Sequence, residues 1–252
     1  IMIQLIELLS RYQLWIIFLI AGIILYLLKL HPIRKVMLFL SVIVLGFYLG
    51  GCPCPSGSVF HLFTGVGSFL FIISTITTLL FGRVYCGWVC PLGAVQELIF
   101  TGRYRVRIPE KFDRYSKYVK FLILATFLYL TISTSTYTWG KYEPFKVLFN
   151  FGGNRIAFIL LLITMGLSMF IERVFCRYIC PMGAVFSIIS RFSIFGLRIN
   201  KDRCVNCLRC TRDICPMGAI ETTHDKIKID KRECIDCLKC KDICSKGAPT
   251  CK

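Results

Sequence analysis

Five long apolar stretches constrain this chain more than any other feature. A segment inside a hydrocarbon core must satisfy its own backbone, and it therefore crosses as a helix of about 20 residues. The stretches cover residues 12–30, 36–51, 59–82, 119–139 and 156–171. The second and fifth are short and span only with help from their flanks or from local thinning of the bilayer, so four is the alternative count. Composition agrees with membrane residence: 56% of the 252 residues are hydrophobic and only 18% are charged, beyond what a soluble domain normally carries. A secretory signal peptide is a poor reading of the first stretch, because no small-residue cleavage site follows it and residues 31–35 lead straight into the next apolar run.

Composition shifts near residue 198, since eight of the fourteen acidic residues follow Arg198. Residues 1–197 thus read as a transmembrane domain and residues 198–252 as a small, polar, cysteine-rich one. Orientation follows from basic residues, which mark the cytoplasmic side of short loops. Arg34 and Lys35 lie in the first connection, and Arg103, Arg105, Arg107, Lys111, Arg114, Lys117 and Lys120 lie between the third and fourth stretches. Both connections belong inside, while the uncharged turn 50–58 and the loop 140–154 belong outside. Five spans then leave the N-terminus external and the C-terminal domain on the cytoplasmic side of the inner membrane. The net charge of +17 reads as topology signal and lipid contact and not as nucleic-acid binding, because no basic stripe sits on a soluble reader domain.

The chemistry lies in fifteen cysteines, and their spacing decides between disulfides and metal sites. Cys204, Cys207, Cys210 and Cys215 are followed by Pro216, and Cys234, Cys237, Cys240 and Cys244 repeat the order. Between the runs, residues 219–222 and 226–229 suggest a hairpin. Such paired runs are the bacterial ferredoxin arrangement, in which three close thiolates take three corners of one cube and the fourth cysteine reaches the other cluster. One [4Fe–4S] cluster would take Cys204, Cys207, Cys210 and Cys244, and the second Cys234, Cys237, Cys240 and Cys215. The first run has four residues between its last two cysteines where three are usual, and Ser245 stands where the second run would carry proline; neither removes a ligand. Paired zinc sites are the structural alternative, but zinc typically uses two-cysteine knuckles.

A second pattern is a duplication. Arg83-Val-Tyr-Cys86-Gly-Trp-Val-Cys90-Pro91-Leu-Gly93-Ala94 matches Arg173-Val-Phe-Cys176-Arg-Tyr-Ile-Cys180-Pro181-Met-Gly183-Ala184. Each copy precedes a short apolar segment with proline in the first turn, where a missing N–H costs nothing. A spacing of four puts both thiols of a pair on one side of a helical turn, so two copies brought together would offer four sulfurs at one point. The helices that follow would aim positive N-termini at an anionic site, with Arg83, Arg173 and Arg177 adding charge. The wording C-P-x-G-A recurs at Cys90, Cys180 and Cys215, with C-x-x-G-A at Cys244. A third iron–sulfur cluster at Cys86, Cys90, Cys176 and Cys180 is the leading expectation, with dithiol or copper chemistry and plain packing as alternatives.

The remaining polar residues say less. Cys52 and Cys54 sit in the outer turn as packing or partner contacts, and Cys251 receives no role. His31, His61 and His224 are badly placed for haem ligation, and C-x-x-C-H is lacking. His61, near the outer end of the third stretch, is a candidate quinone contact against the commoner reading of an interfacial histidine. Glu97 and Glu172 lie near the duplicated cysteines; Glu172 adjoins Arg173, which favours a structural ion pair.

With its two C-x3-C-P motifs, Cys86 to Pro91 and Cys176 to Pro181, ahead of a dicluster domain, the chain resembles the NapH-like membrane polyferredoxins, a group that includes NosR-type and CcoG-type proteins. The resemblance runs from about residue 34 onward. It implies an electron-transfer subunit, without substrate chemistry of its own, that links a membrane quinone pool to partner redox subunits; on the CcoG side it implies cupric-ion reduction at the C-x3-C thiols. The fold expected is mainly α, a polytopic helical domain with an internal repeat plus a small α+β domain for two [4Fe–4S] clusters.

Overall fold

The computed structural model describes residues 2–50, 60, 69–102, 105, 106, 108–134, 136–211, 214–223 and 226–251. Helix α1, Met2–Leu27, is followed by α2, His31–Ser41, which opens with proline in its first turn and runs on as a π-helix, Val42–Tyr48. Lys29 makes the reversal in a left-handed conformation, φ 58°. Within the π-helix, Gly46 lies against the Phe149 ring, where a Cβ would stand 2.5 Å from Cε1. Next come α3, Phe69–Phe81, and the first motif copy, α4 (Val84–Trp88) and α5 (Pro91–Ile99). Helices α6, Glu110–Ser116, and α7, Val119–Thr134, form one apolar rod from Lys111 to Thr134.

The loop expected over 140–154 contains a helix, α8, Pro144–Asn150, again started by proline. Phe151 ends it in the left-handed region, and Gly152, Gly153 and Asn154 lead into α9, Arg155–Phe170, at 96° to α8. The second motif copy follows as α10 (Val174–Tyr178) and α11 (Pro181–Ser190). Cys90 and Cys180 are held extended, at ψ 114° and 116°, because a residue before proline is pushed out of the helical region. Each is thereby the N-cap of the helix its proline begins.

Among the described residues, two helices are long and apolar enough to cross a membrane, His31–Tyr48 and Lys111–Thr134, or three if the bent α8–α9 pair is one span. The Tyr12–Leu27 portion of α1 and the Leu70–Phe81 helix are apolar but shorter. These helices turn large apolar side chains outward, among them Ile20, Ile24, Phe39, Ile43, Ile76, Leu122, Ile159 and Ile163, as a protein bathed in lipid does.

The C-terminal domain is two antiparallel pairs and one short helix. Strand β1, Leu197–Ile199, pairs with β4, Pro249–Cys251, which ties the end of the domain to its beginning; β2, Ile220–Thr223, pairs with β3, Lys226–Ile229, as the expected hairpin. Helix α12, Lys239–Asp242, carries Cys240. The domain does not hang on a linker. Leu197, Ile220, Ile227 and Leu238 share one apolar core with Trp88, Val89 and Phe186. Trp88 Nε1 donates to the Asp236 carbonyl at 3.0 Å, and a Cβ on Gly87 would run into the carbonyl of Ile235. On the other side, Lys117 Nζ donates to the Gly218 carbonyl at 2.8 Å, and Gly218 leaves no room for a side chain against Arg177.

Candidate metal centres

Each C-x2-C-x2-C run of the C-terminal domain bends the same way. The residue before the second cysteine and the residue after it are left-handed: Asn206 and Leu208 in the first run, Asp236 and Leu238 in the second, with φ between 51° and 62°. Asn and Asp accept this conformation readily, whereas a leucine there is strained and must be held by its surroundings. The double reversal wraps each run about a centre. Cys204, Cys207, Cys210 and Cys244 line one small cavity, and Cys215, Cys234, Cys237 and Cys240 line another. The fourth cysteine of each run therefore lies with the first three of the other.

The motif copies bring Cys86, Cys90, Cys176 and Cys180 into one neighbourhood. Burial, and then the adjacent Cys176 and Cys86 sulfurs, push the Cys90 thiol well above its usual value. Burial raises Cys180 in the same way, with Cys176 and Cys86 adding to it. Burial also raises Cys176, and the Arg173 guanidinium works against it. Backbone amides serve the sulfurs in all four C-x-x-G-A segments. Gly183 N donates to Cys180 Sγ at 3.4 Å and Gly93 N donates to Cys90, while in the C-terminal domain Ala219 N donates to Cys215 Sγ at 3.2 Å and Ala248 N to Cys244 Sγ at 3.4 Å. The shared wording is thus a shared device, an amide placed on a sulfur. Gln96 Nε2 adds a donor to Cys176 Sγ at 3.4 Å.

The three sets form a row. Cys176 and Cys237 belong to one small apolar cluster with Met217, Ala219 and Ile235, and Cys86, Cys215 and Cys234 pack against it. Cys240 in turn lies near enough to Cys210 for their charges to interact. Cys207, in the far set, is exposed.

Buried charge surrounds the membrane-side thiols. Arg83 and Arg173 are 1% and 0% exposed. Arg173 Nε meets Glu97 at 2.9 Å and its Nη1 donates to the Cys86 carbonyl, while Glu97 also takes a two-pronged pair from Arg34 at 2.7 and 2.8 Å and meets Lys239 at 2.9 Å. Burial works to raise the Glu97 carboxyl, but Arg173 and Arg34 hold it well below the usual carboxylate range. Arg83 Nη1 donates to the Arg232 carbonyl at 2.9 Å and lies 3.7 Å from Glu233, whose carboxylate is gripped by the fully buried Lys120 at 2.6 and 2.8 Å. Glu172 pairs with Lys239 and, at 3.8 Å, with Arg105 and not with its neighbour Arg173.

These residues fit iron–sulfur clusters. Twelve cysteines fall into three groups of four, amides point at the sulfurs, and Arg83 Nε is buried without a hydrogen-bond partner where an anionic group would provide one. Among the described residues no three His, Cys, Asp or Glu side chains converge tightly enough for a single metal ion; ligands at the corners of a cube stand farther apart than ligands of one ion. Cys52, Cys54, His61 and His224 lie outside the described residues. Sequence reasoning missed Lys120, Glu233, Arg34 and Lys239 as part of the surroundings. The one signal available was position, with Glu233 and Lys239 each adjacent to a cysteine of the second run.

The 4Fe-4S binding domain model matches residues 63–109 and again 156–201, and the 4Fe-4S dicluster domain model matches residues 196–245. The uncharacterized protein MJ0750 of Methanocaldococcus jannaschii is 35% identical over 200 residues, 75% of this chain and 83% of its own length. MJ0749 of the same organism is 33% identical over 235 residues, 87% of this chain and 85% of its own length. The ferredoxin-type protein NapH of Haemophilus influenzae is 28% identical over 149 residues, 58% of this chain and 51% of its own. No solved structure matches.

Proposed function

Because the chain belongs to the NapH/NosR-like family of ferredoxin-type 4Fe-4S membrane proteins, we propose that it is the electron-transfer subunit of a membrane oxidoreductase complex, passing single electrons along three clusters between a quinone pool and partner redox subunits. Iron–sulfur clusters supply one-electron chemistry without proton or group transfer, and their surroundings set the potential. The observation that carries the reading is the row of three four-cysteine sets. Cys86, Cys90, Cys176 and Cys180 hold the membrane-side cluster, Cys215, Cys234, Cys237 and Cys240 the middle one, and Cys204, Cys207, Cys210 and Cys244 the outer one, where the exposed Cys207 offers the exit toward a partner.

The chain's own part is to hold these sets in register. Met217, Ala219 and Ile235 fill the interval between the first two sets and keep water from it. The duplicated motif forms a single holder at one end of the helices, and residues 198–252 dock on it. Arg34, Lys117 and Lys120 all reach this domain or its docking face, so the basic ends of the helices and the domain share one side, which supports a cytoplasmic placement. The quinone link rests on the family.

Anaerobic purification with iron and sulfide analysis and EPR tests the reading. About twelve irons per chain are expected, falling to about eight when Cys86, Cys90, Cys176 and Cys180 are replaced by serine. A wild-type value near eight removes the membrane-side cluster, and stoichiometric copper at those four cysteines replaces it with copper chemistry. A quinol that reduces no cluster in the intact complex removes the quinone link.

A further inference from the structure

Two buried charge networks flank the membrane-side thiols, and each contains more cations than carboxylates. In one, among the described residues, Arg83 and Lys120 are paired with Glu233. In the other, Arg34, Arg105, Arg173 and Lys239 face Glu97 and Glu172. An unbalanced buried cation is costly unless an anion answers it. A [4Fe–4S] core of charge 2+ held by four thiolates carries two negative charges, which at least one surplus cation in each network is there to meet.

The two arginines are also placed crosswise. Arg173, from the second motif, donates to the Cys86 carbonyl of the first, and its Nη1 sits 2.7 Å from where a Cβ on Gly93 would stand. Arg83, from the first motif, has Nη2 3.2 Å from the equivalent position on Gly183 of the second, and its Nε is buried and unpartnered. Each guanidinium therefore lies over the glycine that follows the other motif's second cysteine. A side chain at either glycine would push it away.

We propose that Arg83 and Arg173 are the counter-charges of the membrane-side cluster and raise its reduction potential, each laid across the glycine that follows the other motif's second cysteine. The inference rests on the third-cluster reading. Reduction adds one electron and no proton, so the cluster's charge goes from two to three negative, and nearby fixed cations in a low-dielectric site favour that state. The arginines are positioning residues: they bind no reacting atom and act through charge and through the amide-lined cradle.

The test is an EPR-monitored redox titration of the full chain in detergent, following the signal that disappears when Cys86 and Cys180 are both replaced by serine. In Arg83→Gln and Arg173→Gln the ratio of reduced to oxidised membrane-side cluster at a fixed potential should fall at least tenfold, a downward shift of about 59 mV or more for one electron; Arg83→Lys should restore most of it. Glu97→Gln removes a negative charge from the same surroundings and should shift the ratio upward. Damage to packing alone gives no such opposition of sign. Twelve irons with unmoved potentials in all variants overturn the proposal. If an arginine variant loses its cluster, Glu97→Gln decides, an upward shift supporting the proposal and no shift overturning it. A wild type holding only eight irons overturns the third-cluster reading itself and the proposal with it, a result distinguishable by iron content alone.

Discussion

Replacing Gly87 by alanine should loosen the C-terminal domain from the membrane part. The new Cβ would meet the backbone carbonyl of Ile235, with the Ile235 carbonyl carbon at 3.2 Å and the Cys237 amide nitrogen at 3.7 Å. All three neighbours are backbone, so no rotamer change relieves the contact, and the segment carrying Cys234 and Cys237 must move. Overpacking of this kind typically costs about 1–3 kcal/mol, and a change of that size alters an equilibrium roughly 5–150-fold. The Trp88 hydrogen bond to the Asp236 carbonyl lies beside the contact and should lengthen with it. Hydrogen exchange of residues 232–240 in detergent or nanodiscs reads the opening directly, and faster exchange by that factor is expected. Gly166→Ala is the control, because nothing lies within 4 Å of a Cβ there and alanine is the better helix former by about 0.5–1 kcal/mol. If residues 232–240 exchange in Gly87→Ala as they do in the wild type, the tight docking described above is wrong.

Further outcomes follow from the charge and thiol arrangement. Lys120→Met leaves the buried Glu233 carboxylate with Arg83 at 3.7 Å as its remaining cation; breaking a buried pair costs about 3–5 kcal/mol, which a lowered thermal midpoint in detergent would register and an unchanged midpoint would refute. Glu97, held well below its ordinary 4.5 by Arg173 and Arg34 against the pull of burial, contributes stability that is present above that value and lost as pH falls through its folded pKa; acid unfolding should lose that dependence in Glu97→Gln. Cys215→Ser should bleach the cluster of Cys234, Cys237 and Cys240 and spare that of Cys204, Cys207 and Cys210, as EPR of the purified variant would show. Loss of the other cluster would mean that the runs are not interlocked.

The parts of this molecule that are local in sequence were legible there. C-x2-C spacing and the hairpin of residues 219–222 and 226–229 follow from short-range geometry, and proline after Cys90 and Cys180 dictates the extended N-cap that starts α5 and α11. The duplicated Arg-x-x-Cys wording suggested that four thiols would meet if the two copies were brought together. Docking could not be read, because it depends on pairs far apart in the chain: Trp88 with Asp236, Lys120 with Glu233, Lys239 with Glu97. Sequence adjacency suggested Arg173 with Glu172, but the backbone turns Glu172 toward Lys239 and leaves Arg173 to Glu97. The helix Pro144–Asn150 was hidden in a supposed loop, although its Pro start and Phe-Gly-Gly-Asn stop are visible once the break is known. Strand pairing of Leu197 with Cys251 had no local signal at all.

The two motif copies grip the C-terminal domain by different means. Gly87 meets it through backbone contact, whereas Arg177 meets Gly218 while its guanidinium is bound to Asp113 at 2.5 Å and Lys117 stands beside both. Steric contact is indifferent to salt, and partly exposed ion pairs are not. The Gly218 edge is held by Lys117, which is itself paired with Asp113, so raised ionic strength should quicken exchange at Gly218 before exchange at Ile235. That edge also carries Cys215, so the part of the domain that yields first there is the one beside a cysteine of the middle set.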